Sequence, residues 1–225
     1  MPGPSHHNLL SVFPDKLAAR LFANAKPTML AADEVLFLAG DPGDGCYRVE
    51  QGLLKVSMTA ASGAERILAI VGPGDIVGEL STIDGLPRSA SVAAVRNSEL
   101  TFVSRAAFQA FANGNPEVYR HLVALLAARL RDTDAVLAAG SFLPLKGRVA
   151  RALLDLAEAF GHDVGQGRIL IRQKVSQSDV AAMAGIAREN VSRILNNWIR
   201  DKLVSRLSGY YCLEKKAQLE RESAL

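Results

Sequence analysis

Residues 176–199 read SQSDVAAMAGIARENVSRILNNWI, and this stretch decides the fold of the C-terminal third of the chain. Ser176 followed by Asp179 resembles a helix capping box with a shorter acid than usual. Gly185 predicts the end of the first helix, because a tight turn needs a positive φ that glycine adopts at the least cost. A second helix is expected to begin near Ala187. The segment therefore has the pattern of a helix-turn-helix.

The two predicted helices each have an apolar and a polar face. The inward positions carry small or apolar side chains, namely Val180, Ala181, Met183, Ala184, Val191, Ile194, Leu195 and Trp198. The outward positions at the start of the second helix are Arg188, Glu189, Ser192 and Arg193. The major groove of DNA admits one helix, where arginine can donate two hydrogen bonds to guanine and glutamate can accept one from cytosine. This pattern predicts a DNA-reading helix; the alternative is a solvated face on an ordinary helical hairpin.

The charge distribution supports a polyanionic partner for this end of the chain. Residues 144–225 carry 14 Lys and Arg against 9 Asp and Glu, a net charge of +5, whereas residues 1–143 have a net charge of −2. The segment 203–213 predicts a β-hairpin wing, and Lys202 at its base is a candidate phosphate contact. Ordinary solvated side chains would explain the charge alone equally well, so the DNA assignment depends on the helix-turn-helix pattern.

The segment 28–103 is rich in short runs of Val, Ile and Leu separated by turn residues. The turn signals are Gly40-Asp41-Pro42-Gly43, Gly52, Gly63, Gly72-Pro73-Gly74-Asp75 and Asp84-Gly85. Turns at intervals of about ten residues between short β-prone segments predict an antiparallel roll or barrel.

Within this roll, the string GDIVGEL at 74–80 and the string RSA at 88–90 form a candidate anion site. A glycine turn lets backbone N–H groups approach an anion. Arg88 with the adjacent Ser89 can neutralise a phosphate through charge-assisted hydrogen bonds, and Glu79 can accept from a sugar hydroxyl. The alternative is an internal Glu79–Arg88 ion pair that closes the site without any ligand.

A long helix is predicted to follow the roll. Asn115-Pro116 marks its start, and apolar residues recur at spacings of three and four until Gly140, a length of about 37 Å. Part of this stripe is expected to pair with a second copy of the chain. Pro144 interrupts the helical pattern. The predicted domains are a β-roll over 1–114, a dimerisation helix and hinge over 115–143, and a winged helix-turn-helix over 144–225.

Composition excludes several classes of function. The 225 residues include only two cysteines, Cys46 and Cys212, which excludes a disulfide framework, a cysteine zinc site and a four-cysteine iron–sulfur cluster. No apolar run approaches the ~20 residues of a membrane helix, and residues 1–10 lack a secretory-signal pattern, so a cytoplasmic location is expected. No nucleophile–base pair, metal-ligand spacing or Walker loop occurs in a recognisable context. We therefore expect no enzyme.

Both candidate sites, in this order, resemble the bacterial family of the cyclic-AMP receptor protein and the fumarate–nitrate regulator (CRP/FNR). The likeness runs from about Leu30 to Leu213 and rests on GDIVGEL…RSA, the NPE helix start, GRVARALLDLA and GIARENVSRIL. It implies an α+β fold with a cyclic-nucleotide-binding β-roll, a long dimerisation helix and a winged helix-turn-helix. It also implies a homodimeric transcription regulator with palindromic DNA and RNA polymerase as partners. Members that lack any nucleotide response remain the alternative.

The resemblance also assigns residues. It places Gly78, Glu79, Leu80, Arg88 and Ser89 at the ribose and phosphate of a cyclic nucleotide, and Thr133 and Asp134 at its base. The cyclic-AMP receptor branch usually has Ser where Asp134 stands, so the preference between cAMP and cGMP is open. No histidine lies in the 74–90 segment, and the N-terminal cysteine group of the iron–sulfur members is missing, so neither haem nor a cluster is expected.

On DNA, the resemblance assigns Arg188, Glu189 and Arg193 to a TGTGA-type half-site. Glu189, Ser192 and Arg193 also spell the E-x-x-S-R pattern of the fumarate–nitrate branch, so the half-site could combine both preferences. Ala187 replaces the serine that usually precedes the recognition helix. This removes a helix cap worth about 0.5–2 kcal/mol.

Overall fold

Two long antiparallel strands form the centre of the first half of the chain. A computed structural model describes residues 15–23 and 25–224, which divide into an N-terminal unit that ends at Leu130 and a C-terminal unit that begins at Arg131. The elements up to the long helix are α1 (Asp15–Phe22), β1 (Lys26–Leu30), β2 (Val35–Phe37), β3 (Gly45–Thr59), β4 (Glu65–Val71), β5 (Ile76–Val77), α2 (Glu79–Asp84), β6 (Ser91–Ser104), α3 (Arg105–Gly114) and α4 (Glu117–Phe142).

These strands make one antiparallel sheet. Its order is β1-β6-β3-β4, with β2 pairing to β6 and β5 pairing to β3. The register of the two long strands runs from Gly45 opposite Ser104 to Ser57 opposite Ser91 and shifts between Val49 and Leu54. These irregularities bend the strands, which lets one sheet curl around its own apolar side chains.

The N-terminal unit buries two apolar clusters. One lies inside the curled sheet and is formed by Val49, Leu54, Val92, Leu100 and their neighbours. The other joins the sheet to the helices and includes Leu17 and Phe22 of α1, Phe108 of α3, and Val118 and Leu122 of α4. The first turns of α4 are therefore part of the N-terminal unit. Neither α2 nor α3 was among the sequence predictions, because both are short helices whose packing depends on the sheet.

The C-terminal unit combines helices with a small sheet. Its elements after α4 are α5 (Leu145–Phe160), β7 (Gly161–Asp163), β8 (Ile169–Ile171), α6 (Gln177–Ala184), α7 (Arg188–Arg200), β9 (Val204–Leu207), β10 (Tyr210–Leu213) and α8 (Lys216–Glu222). The sheet order is β7-β8-β10-β9. The predicted wing is confirmed as the β9–β10 hairpin. The first strand, β7, directly follows α5 and pairs antiparallel with β8.

The helix-turn-helix forms through the local signals found in the sequence. The backbone N–H of Asp179 donates to Ser176 Oγ at 3.0 Å, and the N–H of Ser176 donates back to Asp179 Oδ2 at 2.8 Å, which confirms the capping box. Gly185 ends α6 with a φ of 64°, in the left-handed region as expected. Val191, Leu195 and Trp198 of α7 are buried in the core of this unit.

The predicted α+β class, with an antiparallel N-terminal sheet, a long helix and a C-terminal helix-turn-helix, is confirmed. Over 15–23 and 25–224, no helix is both long enough and apolar enough to cross a membrane. The predicted domain boundaries stay predictions.

Candidate ligand pocket and DNA-reading surface

Gly78 forms the corner between β5 and α2 in the N-terminal unit. Its φ of 78° lies in the left-handed region, and no side chain caps the helix that follows. A Cβ at this position would lie 2.3 Å from Nη1 of Arg88 and 3.2 Å from the carbonyl oxygen of Gly45. Glycine is therefore needed here both for the backbone conformation and for the close approach of the Arg88 guanidinium.

Arg88 is one of the few charged residues buried in this unit, with 4% of its surface exposed. Its Nη1 donates to the carbonyl oxygens of Gly45 at 2.7 Å and Gly78 at 2.9 Å. Its Nη2 donates to Asp44 Oδ1 at 2.8 Å. The guanidinium carbon also lies 4.2 Å from the centre of the Phe37 ring. These contacts hold the guanidinium in one place, as a buried charge requires.

One donor of this guanidinium is left without a partner. The Nε of Arg88 is buried and makes no hydrogen bond. An unsatisfied buried donor costs about 1–3 kcal/mol, so such a group usually serves a purpose. The Nε–H and one N–H of Nη2 point along the same edge of the guanidinium and form the fork that binds an oxyanion with two hydrogen bonds. The edge of Arg88 that carries the unpaired Nε therefore fits an anionic ligand.

Glu79 is also buried, with 2% of its surface exposed, and its partner is not Arg88. Nη1 of Arg129, on α4, donates to Oε1 of Glu79 in an ion pair, and Nη2 of Arg129 donates to the carbonyl oxygen of Ile76 at 3.0 Å. The alternative of an internal Glu79–Arg88 ion pair was therefore wrong, because each of the two side chains has a different partner. The sequence reasoning missed Arg129. Its position one helical turn before Thr133 was the signal that could have indicated it.

The remaining polar groups near the guanidinium are held in their neutral forms. Burial, followed by the nearby Glu79 carboxylate, raises the pKa of the Cys46 thiol to about 12. Burial, followed by the nearby Asp44 carboxylate, also raises the pKa of the Tyr47 phenol. A thiol with such a pKa stays protonated at neutral pH. The charges of this site are therefore those of Arg88, Glu79 and their two partners.

The other predicted ligand residues occupy different positions. Leu80 is half-buried in α2, and Ser89 is exposed beside Arg88. Thr133 and Asp134 are exposed on α4 within the C-terminal unit. Their assignment to the base of a nucleotide stays a prediction. Among the described residues, no group of three or more His, Cys, Asp or Glu side chains lies close enough to hold a metal ion.

The second site is the outer surface of the helix-turn-helix. A concave surface is lined by Arg188, Glu189, Ser192 and Arg193 of α7, together with Gln177 at the start of α6 and Asn196 further along α7. All four residues predicted from the sequence thus share one face. The sequence reasoning missed Gln177 and Asn196, which carry no charge. Asn196 lies one helical turn after Ser192, and this spacing was an available signal, whereas Gln177 lies on the other helix and no such spacing indicates it.

Two further sequence predictions concern the ends of α7. Ala187 stands at the N-cap and makes no side-chain hydrogen bond there, which confirms the loss of the cap. Lys202 follows the last turn with a φ of 54° and is exposed. Its role as a phosphate contact stays a prediction.

Comparison with known proteins identifies both domains. Residues 27–115 match the cyclic nucleotide-binding domain, and residues 147–222 match the Crp-like helix-turn-helix domain. The chain is 34% identical over 194 residues to the CRP-like cAMP-activated global transcriptional regulator of Mycobacterium tuberculosis, which covers 84% of this chain and 86% of that protein. It is 36% identical over 201 residues to the cyclic AMP receptor protein of Thermus thermophilus, which covers 89% of this chain and 86% of that protein.

A solved structure supports the same conclusion. A transcriptional regulator of the CRP family from Thermus thermophilus superposes with a TM-score of 0.74 at 27% identity and covers 87% of this chain and 96% of that one. The family consists of transcription regulators and not of enzymes. With a cyclic nucleotide-binding domain followed by a Crp-like helix-turn-helix, and with relatives of 34% and 36% identity over most of both chains, this chain belongs to the CRP/FNR family of transcription regulators.

Proposed function

We propose that the chain is a homodimer that binds palindromic DNA and is controlled by a cyclic nucleotide in its N-terminal unit, most simply cAMP, with cGMP as the alternative. The observation that carries the ligand part is the buried, unpaired Nε of Arg88 inside the matched nucleotide-binding domain. Both relatives described above have names that refer to cAMP, which favours that nucleotide.

The chemistry of the pocket supports a cyclic phosphate attached to a sugar. The phosphate would accept from the edge of Arg88 that carries the unpaired Nε, with the Ser89 hydroxyl next to it. Glu79, fixed by Arg129, would accept from the ribose hydroxyl, because an ionised carboxylate has only acceptors to offer. Gly78 gives the room for this approach, and the half-buried Leu80 is an apolar neighbour.

The long helix supplies the proposed link between ligand and dimer. Val123, Leu130 and Leu137 lie seven residues apart on α4 and are 66%, 61% and 68% exposed. A seven-residue repeat of exposed apolar side chains is the seam of a two-stranded coiled coil. Thr133 and Asp134 lie within this stretch, so a base that contacts them would favour one helix–helix register over another. A ligand shifts such an equilibrium only by its different affinities for the two states.

The DNA-reading surface then has assigned roles. Arg188 and Arg193 would donate to guanine, Glu189 would accept from cytosine, and Ser192 would contact either, whereas Lys202 would contact a phosphate. In a two-fold dimer, the two recognition helices would enter successive major grooves about 34 Å apart.

The test measures fluorescence anisotropy of a labelled palindromic duplex with TGTGA-type half-sites, without nucleotide and with saturating cAMP or cGMP. We expect one nucleotide to change the DNA affinity of the chain and Arg88→Gln to abolish that change. Isothermal titration of the same samples would show the nucleotide bound by the wild type and not by the variant. A chain that stays monomeric and ignores duplex DNA under all three conditions would contradict the proposal.

The proposed DNA contacts are tested by comparing two further variants. Arg188→Ala should reduce the difference in affinity between the TGTGA duplex and a scrambled one, whereas Lys202→Ala should weaken both duplexes alike. An unchanged preference in Arg188→Ala would count against this docking. If the wild type binds the palindrome specifically and neither nucleotide alters its affinity, the family member without ligand control is the correct assignment.

A further inference from the structure

We propose that Asp44 sets the affinity of the pocket for its ligand by occupying Arg88 while the pocket is empty. This inference rests on the proposed function, since it treats Arg88 as the phosphate-binding residue. Asp44 lies in the loop before β3, and its Oδ1 accepts from Arg88 Nη2 at 2.8 Å. The carboxylate is the negative charge closest to the guanidinium edge that would receive a phosphate.

The backbone around this contact is fixed, whereas the carboxylate can move. The backbone carbonyl of Asp44 accepts from the N–H of Arg105 at 2.8 Å. The same loop is tied to Arg88, whose N–H donates to Asp41 O at 2.9 Å and whose carbonyl accepts from Gly40 N at 2.8 Å. The side chain of Asp44 is nevertheless 67% exposed, while that of Arg88 is 3% exposed. Rotation of the carboxylate into water is therefore available without any rearrangement of the loop.

The guanidinium itself has little freedom to turn away from Asp44. Nη1 donates to two backbone carbonyls, those of Gly45 and Gly78, and the guanidinium stacks on Phe37. The edge left for a ligand comprises Nε, which is unpaired, and Nη2, which already donates to Asp44. A phosphate that used both nitrogens would place its oxygens against the Asp44 carboxylate. The negative charges of the phosphate and of the carboxylate would then be in contact and repel each other, so phosphate binding requires the carboxylate to move away from Arg88.

Asp44 therefore acts as an internal competitor for Arg88, and its removal should tighten ligand binding. Ion pairs with one well-exposed partner are weak, so the expected gain in affinity is about two- to tenfold. The opposite expectation follows if Asp44 only orients Arg88 for the ligand, because loss of the ion pair would then weaken binding. The sign of the change thus separates competition from support.

The variant is Asp44→Asn, which keeps the size of the side chain and removes its charge. The matched control is Asp41→Asn, three residues earlier in the same loop. The Oδ2 of Asp41 accepts from the N–H of Leu38 at 2.8 Å, a bond that an amide oxygen can keep. Both variants change the net charge of the chain equally, so a difference between them isolates the contact with Arg88. Isothermal titration of the full-length wild type and both variants with cAMP and cGMP gives the affinities, and circular dichroism checks that all three fold.

The outcomes separate this inference from the proposed function. Tighter binding by Asp44→Asn, with Asp41→Asn like the wild type, supports both. If only Asp44→Asn binds a nucleotide, the competition is supported, but the proposed nucleotide control of the wild type is contradicted. Equal or weaker binding by Asp44→Asn overturns the inference and leaves the proposed function intact, as does an equal gain in both variants. No binding by any of the three chains overturns both.

Discussion

A pair of glycine substitutions tests whether Gly78 is needed for backbone conformation only or also for the position of Arg88. Gly78 and Gly63 both have left-handed backbones, with φ values of 78° and 82°. A Cβ on Gly63 would meet nothing within 4 Å, whereas one on Gly78 would lie 2.3 Å from Arg88 Nη1. Gly63→Ala therefore measures the conformational cost alone, and Gly78→Ala measures that cost together with the displacement of the guanidinium.

The magnitudes follow from these contacts. Alanine in the left-handed region costs roughly 1–2 kcal/mol, which is the expected effect of Gly63→Ala. The far end of an arginine usually moves away at little cost, but Arg88 is buried and its Nη1 donates to the carbonyls of Gly45 and Gly78. Loss of one hydrogen bond to a charged group costs about 1.5–3 kcal/mol. Gly78→Ala should therefore destabilise the N-terminal unit by about 2.5–5 kcal/mol in total.

Differential scanning calorimetry of the ligand-free chain would measure both effects, since each kcal/mol lowers the Tm of a unit of this size by about 4 °C. Trp198, the only tryptophan, lies in the C-terminal unit, and its fluorescence transition serves as an internal control. Titration with cAMP should give wild-type affinity for Gly63→Ala and none for Gly78→Ala. Equal losses of stability in the two variants, with nucleotide binding retained in both, would refute the role assigned to Gly78.

Three other predictions concern the dimer, the core and the recognition helix. Leu130→Glu should convert the proposed dimer to a monomer in sedimentation analysis, whereas Ala124→Glu, at an exposed position outside the seven-residue repeat of α4, should not. Burial raises the pKa of Cys46 from 9.0 to about 12, so the folded chain keeps a proton that the unfolded chain loses above pH 9.0. The free energy of unfolding should therefore fall as the pH rises from 9.0 towards 12. Urea titrations should show that Cys46→Ala removes this part of the fall. Ala187→Ser should restore a helix cap and raise the stability of the C-terminal unit by about 0.5–2 kcal/mol, measured as an increase in its Tm. An unchanged Tm would mean that the backbone N–H groups in the first turn of α7 already have other hydrogen-bond partners.

The local part of the fold could be predicted from the sequence because its signals are local. The capping box of Ser176 and Asp179 and the turn at Gly185 each involve a few consecutive residues, and backbone geometry leaves few alternatives for them. The short elements β7 and α8 could not be predicted in this way. The strand β7 has three residues and exists because it pairs with β8. The helix α8 packs closely against α5, since a Cβ added at Gly147 would lie 2.6 Å from the carbonyl oxygen of Glu222.

The ion pairs of the pocket were beyond sequence reasoning for a different reason. Arg88 pairs with Asp44 across 44 residues, and Glu79 pairs with Arg129 across 50. The chain offers 26 basic and 23 acidic side chains, and charge alone does not choose among their combinations. The sequence suggested Glu79 with Arg88 because two charges expected inside the same roll need either a ligand or each other. The fold gives different pairs, because it brings the loop before β3 into contact with Arg88 and α4 into contact with Glu79.

Because Arg88 and Glu79 have different partners, the proposed scheme assigns nucleotide affinity to Asp44 and the DNA-binding response to the Glu79–Arg129 pair. Asp44 contacts Arg88 only while the pocket is empty in the proposed scheme, so the nucleotide-saturated states of the wild type and of Asp44→Asn are the same at that point. Linkage then requires that the variant reach its response at a lower nucleotide concentration without any change in the DNA affinity of the saturated protein. The Glu79–Arg129 pair differs, because Arg129 lies on the helix that carries the exposed apolar repeat. A change of DNA affinity at saturation in Asp44→Asn would mean that the loop before β3 also contributes to the response, and that the two ion pairs do not act separately.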